Sequence, residues 1–147
     1  IMVKATDVFL SDYDLKVGKN VDVTARIRNI GGVRARNVKV SIYTRNLADG
    51  KRTSIHETTV GEIRNGILEI EEENPPTKVI RKINGIEYPS MHYGPGKWTK
   101  VYVDRALVTF PWTPKRSGYH AIEVEVQPSP QYTVLQGYQK LEFPVGE

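Results

Sequence analysis

The chain has 147 residues, a net charge of +4 and no cysteine. Its length predicts one domain, residues 1–147, that can bury a core without crosslinks. The lack of cysteine excludes disulfides, thiolate metal sites and cysteine nucleophiles. No run of about 18 apolar residues occurs, so we expect no direct insertion into a membrane. Because the chain opens on Ile1, we expect it to be part of a longer chain.

Apolar and polar residues alternate with a period of two through much of the chain. In order, the alternating runs are VDVTARI (21–27), VKVSIY (38–43), LVTFPW (107–112), HAIEVEV (120–126) and KLEFPV (140–145). Each predicts a strand with one buried and one wet face. We expect one shared core from the inward positions, which are Val23, Ile27, Val40, Ile42, Val108, Phe110, Trp112, Ile122, Val124, Leu141 and Phe143.

Turn residues separate these runs, and no long window shows a helical stripe. Gly31-Gly32, Asp49-Gly50, Asn84-Gly85 and Ser117-Gly118 are typical turn sequences. Many short strands at regular spacing favour an all-β fold, and first of all an immunoglobulin-like β-sandwich of about seven strands.

The stretch FPWTP, residues 110–114, has a structural explanation. Pro111 lies on the wet face of its strand and cannot donate to a ladder, so it predicts an edge position or a nitrogen that points away from the neighbouring strand. Trp112 is expected to point inward and Pro114 to end the strand. His120 has inward parity, and we expect it to bond to backbone in a structural role.

Residues 64–105 interrupt the sandwich pattern and read as an insertion of extra strands, with a β-hairpin signal at Asn84-Gly85. The insertion carries an aromatic cluster, which is the best candidate for a ligand-binding site: Tyr88, His92, Tyr93, Trp98 and Tyr102. Rings on a segment stiffened by proline can stack on sugars or fill a partner's pocket. The alternative is that they cover the open end of the sandwich.

Metal binding and catalysis find little support in the sequence. His56, His92 and His120 have no metal-ligand spacing, and no G-x-S-x-G elbow is present. We therefore predict no metal, no cofactor and no enzymatic activity.

Two acidic stretches are weak candidates for calcium. Glu69, Glu71 and Glu73 share strand parity but have no loop to shape them, so a solvated face is the preferred interpretation. Asp12 and Asp14 lie beside Lys16 and Lys19, which weakens that site.

The basic residues do not form a convincing nucleic-acid surface. In a sandwich, Arg26 and Arg28 lie on one sheet and Lys39 on the other, where we expect Lys39 to pair with Glu123 or Glu125. No aromatic residues for base stacking accompany these basic residues, so nucleic acid is not an expected partner.

Two stretches together resemble the CARDB domain, a cell-adhesion-related module of bacteria and archaea: LKVGKNVDVTARIRNIGGVRARNVKVSIY and VTFPWTPKRSGYHAIEVEVQP. The resemblance covers roughly residues 3–63 and 106–145. It rests on Val17-Gly18, Arg28-Asn29 with Gly31, Trp112-Thr113-Pro114, Gly118 and Pro128. The chain departs from the family in its insertion and in QPSPQYTVLQGYQ, which replaces an acidic turn.

The resemblance implies an immunoglobulin-like module in extracytoplasmic proteins, with no catalytic residues to transfer. We therefore expect a non-catalytic structural or adhesion module of a larger cell-surface or secreted protein, making protein or glycan contacts. The alternative is a carbohydrate-binding accessory module that uses the insertion's aromatic residues. In either case, residues 86–102 are the predicted contact surface.

Overall fold

The computed structural model describes residues 1–72, 79–92 and 97–147. A 3-10 turn at Ala5–Asp7 precedes the strands. The strands are Val8–Leu10 (β1), Val21–Arg28 (β2), Ala35–Asn46 (β3), Arg52–Ile63 (β4), Leu68–Glu71 (β5), Ile80–Ile83 (β6), Ile86–His92 (β7), Trp98–Val101 (β8), Arg105–Trp112 (β9), Gly118–Val126 (β10) and Tyr138–Val145 (β11). Among the described residues, no helix has the length and hydropathy needed to cross a membrane.

The strands form two sheets that pack face to face. Sheet I has the order β1-β2-β9-β7-β8-β5, with β6 beside β7, and sheet II has the order β11-β10-β3-β4. The sandwich itself consists of β1–β4 and β9–β11, as expected for an immunoglobulin-like fold. The insertion exceeds the predicted hairpin, because its described part contributes four strands that widen sheet I beyond β9.

The core lies where the alternating pattern placed it. Of the predicted inward residues, all are buried except Leu141, which is partly buried because β11 is the edge strand of sheet II. Trp112 retains 9% exposure and meets Phe143 edge-to-face, with ring centroids 5.8 Å apart. Tyr88, Val101 and Val103 belong to the same apolar cluster, so the insertion shares the core of the sandwich.

Pro111 occupies the kind of position that the sequence predicts. Its partner Asp22 accepts a 2.9 Å hydrogen bond from the backbone N–H of Ser11 and donates its own N–H to Ser11 Oγ at 2.9 Å, and therefore turns its backbone polar groups away from β9. The nitrogen of Pro111 consequently faces away from β2. On that side, β7 pairs with β9 only through Glu87 and Leu107 among the described residues, so Pro111 costs the sheet no hydrogen bond.

The predicted hairpin of the insertion is confirmed. Asn84 and Gly85 have φ angles of 51° and 81° and connect β6 to β7 directly after the pair Ile83–Ile86. Two consecutive positive φ angles indicate a type I′ turn, for which Asn-Gly is the preferred sequence.

The expected pairing of Lys39 with Glu123 or Glu125 is wrong. The register of β3 against β10 places Tyr43 opposite Glu123 and Ser41 opposite Glu125, while Lys39 accepts a backbone bond from Gln127. The register is therefore displaced along the strand from the one assumed, although each residue lies on the expected face.

Glu123 is instead paired with two arginines on the outer face of sheet II. Its carboxylate lies 2.7 Å from Arg45 Nε and 3.0 Å from Arg52 Nε. These partners leave Glu123 only 3% exposed, while its neighbours Ile122 and Val124 are in the core. The positive charge of this face is thus locally balanced.

Candidate functional site

The outer face of the insertion carries the most exposed apolar side chains on its strands. Ladder pairs join Ile80 to Pro89, Met91 to Lys100 and Trp98 to Glu71. Paired residues, and residues two apart on one strand, point to the same side of a sheet. These residues therefore form one continuous surface, the contact face, defined by Ile80, Pro89, Met91, Trp98 and Lys100.

The contact face is the outer side of sheet I. Glu87 shares the parity of Pro89 and pairs with Leu107, whose neighbours Ala106 and Val108 are buried in the sandwich. The face therefore points away from sheet II. Ile80, Met91 and Trp98 are 41%, 48% and 43% exposed, so three large apolar side chains meet solvent on one strand-built surface.

Tyr88 does not belong to this surface. It is 2% exposed and points toward sheet II, where its hydroxyl donates a 2.9 Å hydrogen bond to the carbonyl oxygen of Glu62. Burial raises the pKa of this hydroxyl. Tyr88, a predicted ligand-binding residue, therefore lies away from the contact face, and its hydroxyl joins the insertion to β4.

The other candidate rings are also separated. His92 pairs with Thr99 and shares the inward parity of Tyr88, with its Nδ1 3.4 Å from Thr99 Oγ1. Tyr102 follows β8 and is half-buried, and the guanidinium of Arg105 lies 4.8 Å from its ring centroid. Tyr93 lies outside the described residues.

The register between β7 and β8 explains this separation. Even-numbered residues of β7 face inward, whereas odd-numbered residues of β8 do so, as the pair His92–Thr99 shows. Trp98 and His92 are therefore on opposite faces although they are close in sequence. The candidate residues named from the sequence did not include Ile80 or Met91, although Met91 lies within the predicted surface 86–102 and Glu87, Pro89 and Met91 show a period-two pattern.

Two comparisons with solved structures identify the architecture. A crystal structure of the CARDB domain of the PF1109 protein from Pyrococcus furiosus, in complex with di-metal ions, has a TM-score of 0.55 and 18% identity, covering 94% of this chain and 84% of that one. The solution structure of the same domain has a TM-score of 0.54 and 16% identity, covering 95% and 94%.

The fold is that of the CARDB domain. A scan of protein-family models finds no match to the chain. No curated protein matches it either.

The described residues of the two acidic stretches form no group that could hold a metal ion. Glu69 and Glu71 are exposed on the contact-face side of β5, and Glu73 lies outside the described residues. Within the described ranges, no three histidine or carboxylate side chains are grouped so that they could hold a metal ion. The ammonium of Lys19 lies 2.8 Å from Asp12, so a lysine occupies the second acidic site.

Glu72 is on the opposite face from Glu71 and has a different role. Its two carboxylate oxygens accept hydrogen bonds from the guanidinium of Arg81, and these bonds lower the pKa of Glu72. The pair joins the end of β5 to β6 and stabilises the insertion.

The three histidines of the CARDB-like fold have separate surroundings. His56 stacks on Phe110 with ring centroids 4.3 Å apart, and burial lowers its pKa. His120 is 5% exposed and its Nδ1 donates to the carbonyl of Gly118 at 3.0 Å. The predicted backbone bond of His120 is thus confirmed.

Proposed function

We propose that this CARDB-like module is a non-catalytic contact module of a cell-surface or secreted protein, and that it binds a partner protein through the contact face. The observation that carries the proposal is the joint exposure of Ile80, Met91 and Trp98 on one strand surface. Tryptophan and methionine are enriched at protein interfaces, where a buried tryptophan often dominates affinity.

A protein partner fits this surface better than a glycan. Sugar recognition by stacking uses exposed aromatic rings, and Tyr88 is buried while the ring of Tyr102 has Arg105 beside it. The apolar neighbours of Trp98 on the contact face are Met91 and Ile80, which are not aromatic. Such side chains pack well against the irregular surface of a protein partner. The alternative function, carbohydrate binding, would depend on Trp98.

The charged border of the contact face supports the same proposal. Glu71 lies opposite Trp98 across the β5–β8 ladder, and Lys100 lies opposite Met91. An apolar centre with charged residues around it is the usual anatomy of a transient protein interface.

Site-specific crosslinking tests this function. A photoreactive amino acid replaces Lys100 on the contact face, and in a matched control it replaces Lys39 on the outer face of sheet II. Both proteins are irradiated in an envelope extract of the source organism. We expect one protein to crosslink through position 100 and not through position 39.

Affinity measurements on the crosslinked partner complete the test. Trp98→Ala should weaken binding by about 2 kcal/mol, or roughly thirtyfold. Leu135→Ala, which changes a 68% exposed leucine elsewhere on the module, should leave affinity unchanged. Unaltered affinity of Trp98→Ala would overturn the proposal, and binding of a glycan array that depends on Trp98 would favour the alternative.

A further inference from the structure

The inner face of sheet II changes from apolar to polar near one end of the sandwich. Along β3 the inward residue Ile42 is followed by Thr44 and Asn46, and along β10 Ile122 is preceded by His120. The ladder places His120 opposite Asn46 and Ile122 opposite Thr44. The three polar side chains Thr44, Asn46 and His120 therefore share the inner surface of sheet II. They lie at the Trp112 end of β9, away from its contact with β7.

A cleft opens in front of these residues. It has a volume of about 490 Å³ and is lined by the end of β3, the starts of β4 and β10, and Pro111 and Trp112 of β9. Clefts of about 300–1,000 Å³ are the usual size of small-ligand sites. Trp112 gives the cleft one aromatic wall, and the polar residues lie on sheet II.

Nearly buried polar groups in this cleft have unused bonding capacity. Asn46 is 8% exposed and its Oδ1 accepts the N–H of Ala48 at 2.9 Å, but its Nδ2 has no bond to any described residue. His120 is 5% exposed, and among the described residues only its Nδ1 is hydrogen-bonded. Thr44 Oγ1 also has no partner in the described part, but it is buried out of reach of a ligand, so Asn46 and His120 are the groups that keep some exposure. Since buried polar groups are normally hydrogen-bonded, this arrangement suits a hydroxyl-rich ligand.

The rim of the cleft is basic. Lys51, Lys115 and Arg116 line it, and the described lining includes no carboxylate. Arg116 is partly neutralised by Asp49 at 3.0 Å, which leaves the two lysines as the main cationic groups. The rim thus favours an anionic substituent on the ligand.

We propose that this cleft binds an acidic sugar, namely a uronic acid residue, free or at the end of a polysaccharide. Trp112 packs against the C–H face of the ring, Asn46 and His120 meet its hydroxyl groups, and Lys51 and Lys115 face its carboxylate. This site is separate from the contact face in position and in ligand chemistry, and it does not depend on the proposed protein contact.

Titration with D-glucuronate tests the site, with D-glucose as the neutral probe. The chain has two tryptophans, so Trp98→Phe leaves Trp112 as the one indole fluorophore. We expect a saturable change in Trp112 fluorescence with glucuronate, and binding of glucose about tenfold weaker. An NMR titration should shift the ring signals of His120 in parallel.

Charge variants localise the binding. The double variant Lys51→Glu/Lys115→Glu alters only exposed side chains and should weaken glucuronate binding about tenfold, whereas Lys39→Glu should not. Asn46→Leu, checked for folding by circular dichroism, should weaken glucose and glucuronate alike. The proposal is overturned if no saturable signal appears, if both sugars bind equally well, or if Lys39→Glu weakens binding as much as the double variant does. It is also overturned if an acetylated triglutamate peptide, a non-sugar anion, binds the cleft and glucuronate does not.

Discussion

Arg28 donates two hydrogen bonds of 2.8 Å, from Nε and Nη2, to the carboxylate oxygens of the fully buried Asp7. Arg26 approaches the same carboxylate at 3.4 Å, and the backbone N–H of Lys4 donates to it at 2.9 Å. The 3-10 turn at the start of the chain is therefore joined to β2 by the hydrogen bonds that the buried Asp7 carboxylate accepts from Arg26 and Arg28. The bonds to Asp7 raise the pKa of Arg28.

Asp7→Ala should lower the free energy of unfolding by about 3 kcal/mol, because it leaves two arginines without their acceptor. Urea unfolding followed by circular dichroism measures the loss. Asp22→Ala, which changes an exposed aspartate on β2, is the matched control and should have little effect. Equal midpoints for the two variants would contradict this account of Asp7.

Trp112→Ala should destabilise the fold by about 3–5 kcal/mol, because it removes a large side chain between the sheets and its edge contact with Phe143. Trp98→Ala removes the same kind of side chain from the surface and should change stability by about 0.5 kcal/mol or less. Denaturant unfolding of both variants compares them directly. A loss for Trp98→Ala as large as that for Trp112→Ala would contradict the assignment of the two faces.

Stability should fall in acid partly through Glu123. Hydrogen bonds from Arg45, together with the nearby charge of Arg52, lower the pKa of Glu123 in the folded protein. The unfolded chain therefore takes up the proton at higher pH, near the ordinary pKa of about 4.3, and the free energy of unfolding decreases as pH falls below that value.

Glu123→Gln tests this acid dependence. The variant should be less stable than the wild type at pH 7, with a shallower loss of stability between neutral pH and pH about 3. Chemical unfolding at a series of pH values measures the free energy of unfolding of both proteins, and the two values should converge in acid, where Glu123 is protonated. Parallel slopes would show that Glu123 does not contribute.

Folding should not depend on divalent metal ions. The described residues offer no group of three histidine or carboxylate side chains that could hold one. Thermal melts with and without EDTA should superimpose. A melting temperature several degrees lower after chelation would refute this prediction, and addition of calcium or zinc would then identify the ion.

Tyr88→Phe should cost about 1 kcal/mol, since it removes the hydroxyl that bonds to the carbonyl of Glu62. Tyr119→Phe removes an exposed hydroxyl and is the matched control. Thermal unfolding of the two variants gives the difference. If Tyr88→Phe is as stable as Tyr119→Phe, the bond between the insertion and β4 contributes nothing to stability.

Period-two alternation was enough to predict β2, β3, β9, β10 and β11 and their faces, whereas none of the alternating runs covers β1 or β4. Local chemistry also predicted that the nitrogen of Pro111 points away from a neighbouring strand and that Asn84-Gly85 forms a turn, since each depends on the residue's own backbone geometry. These features need no knowledge of distant parts of the chain.

Relationships between strands were harder to predict because register depends on the ladder as a whole. The pairing of Lys39 with Glu123 or Glu125 was wrong for this reason, and the aromatic cluster of the insertion proved to be divided between two faces. The cleft was also missed. His120 was assigned to a structural role, and its position opposite Asn46 becomes visible only when β3 and β10 are paired.

The join between the insertion and the sandwich has a consequence for local opening. Among the described residues, β7 meets β9 through one ladder pair, Glu87 and Leu107, whereas β2 and β9 pair along their whole length. The backbone bonds of β5–β8 can therefore break together while the sandwich ladders stay closed. In native-state hydrogen exchange, amides of the insertion should form a separate cooperative unit that opens at lower free energy than the sandwich.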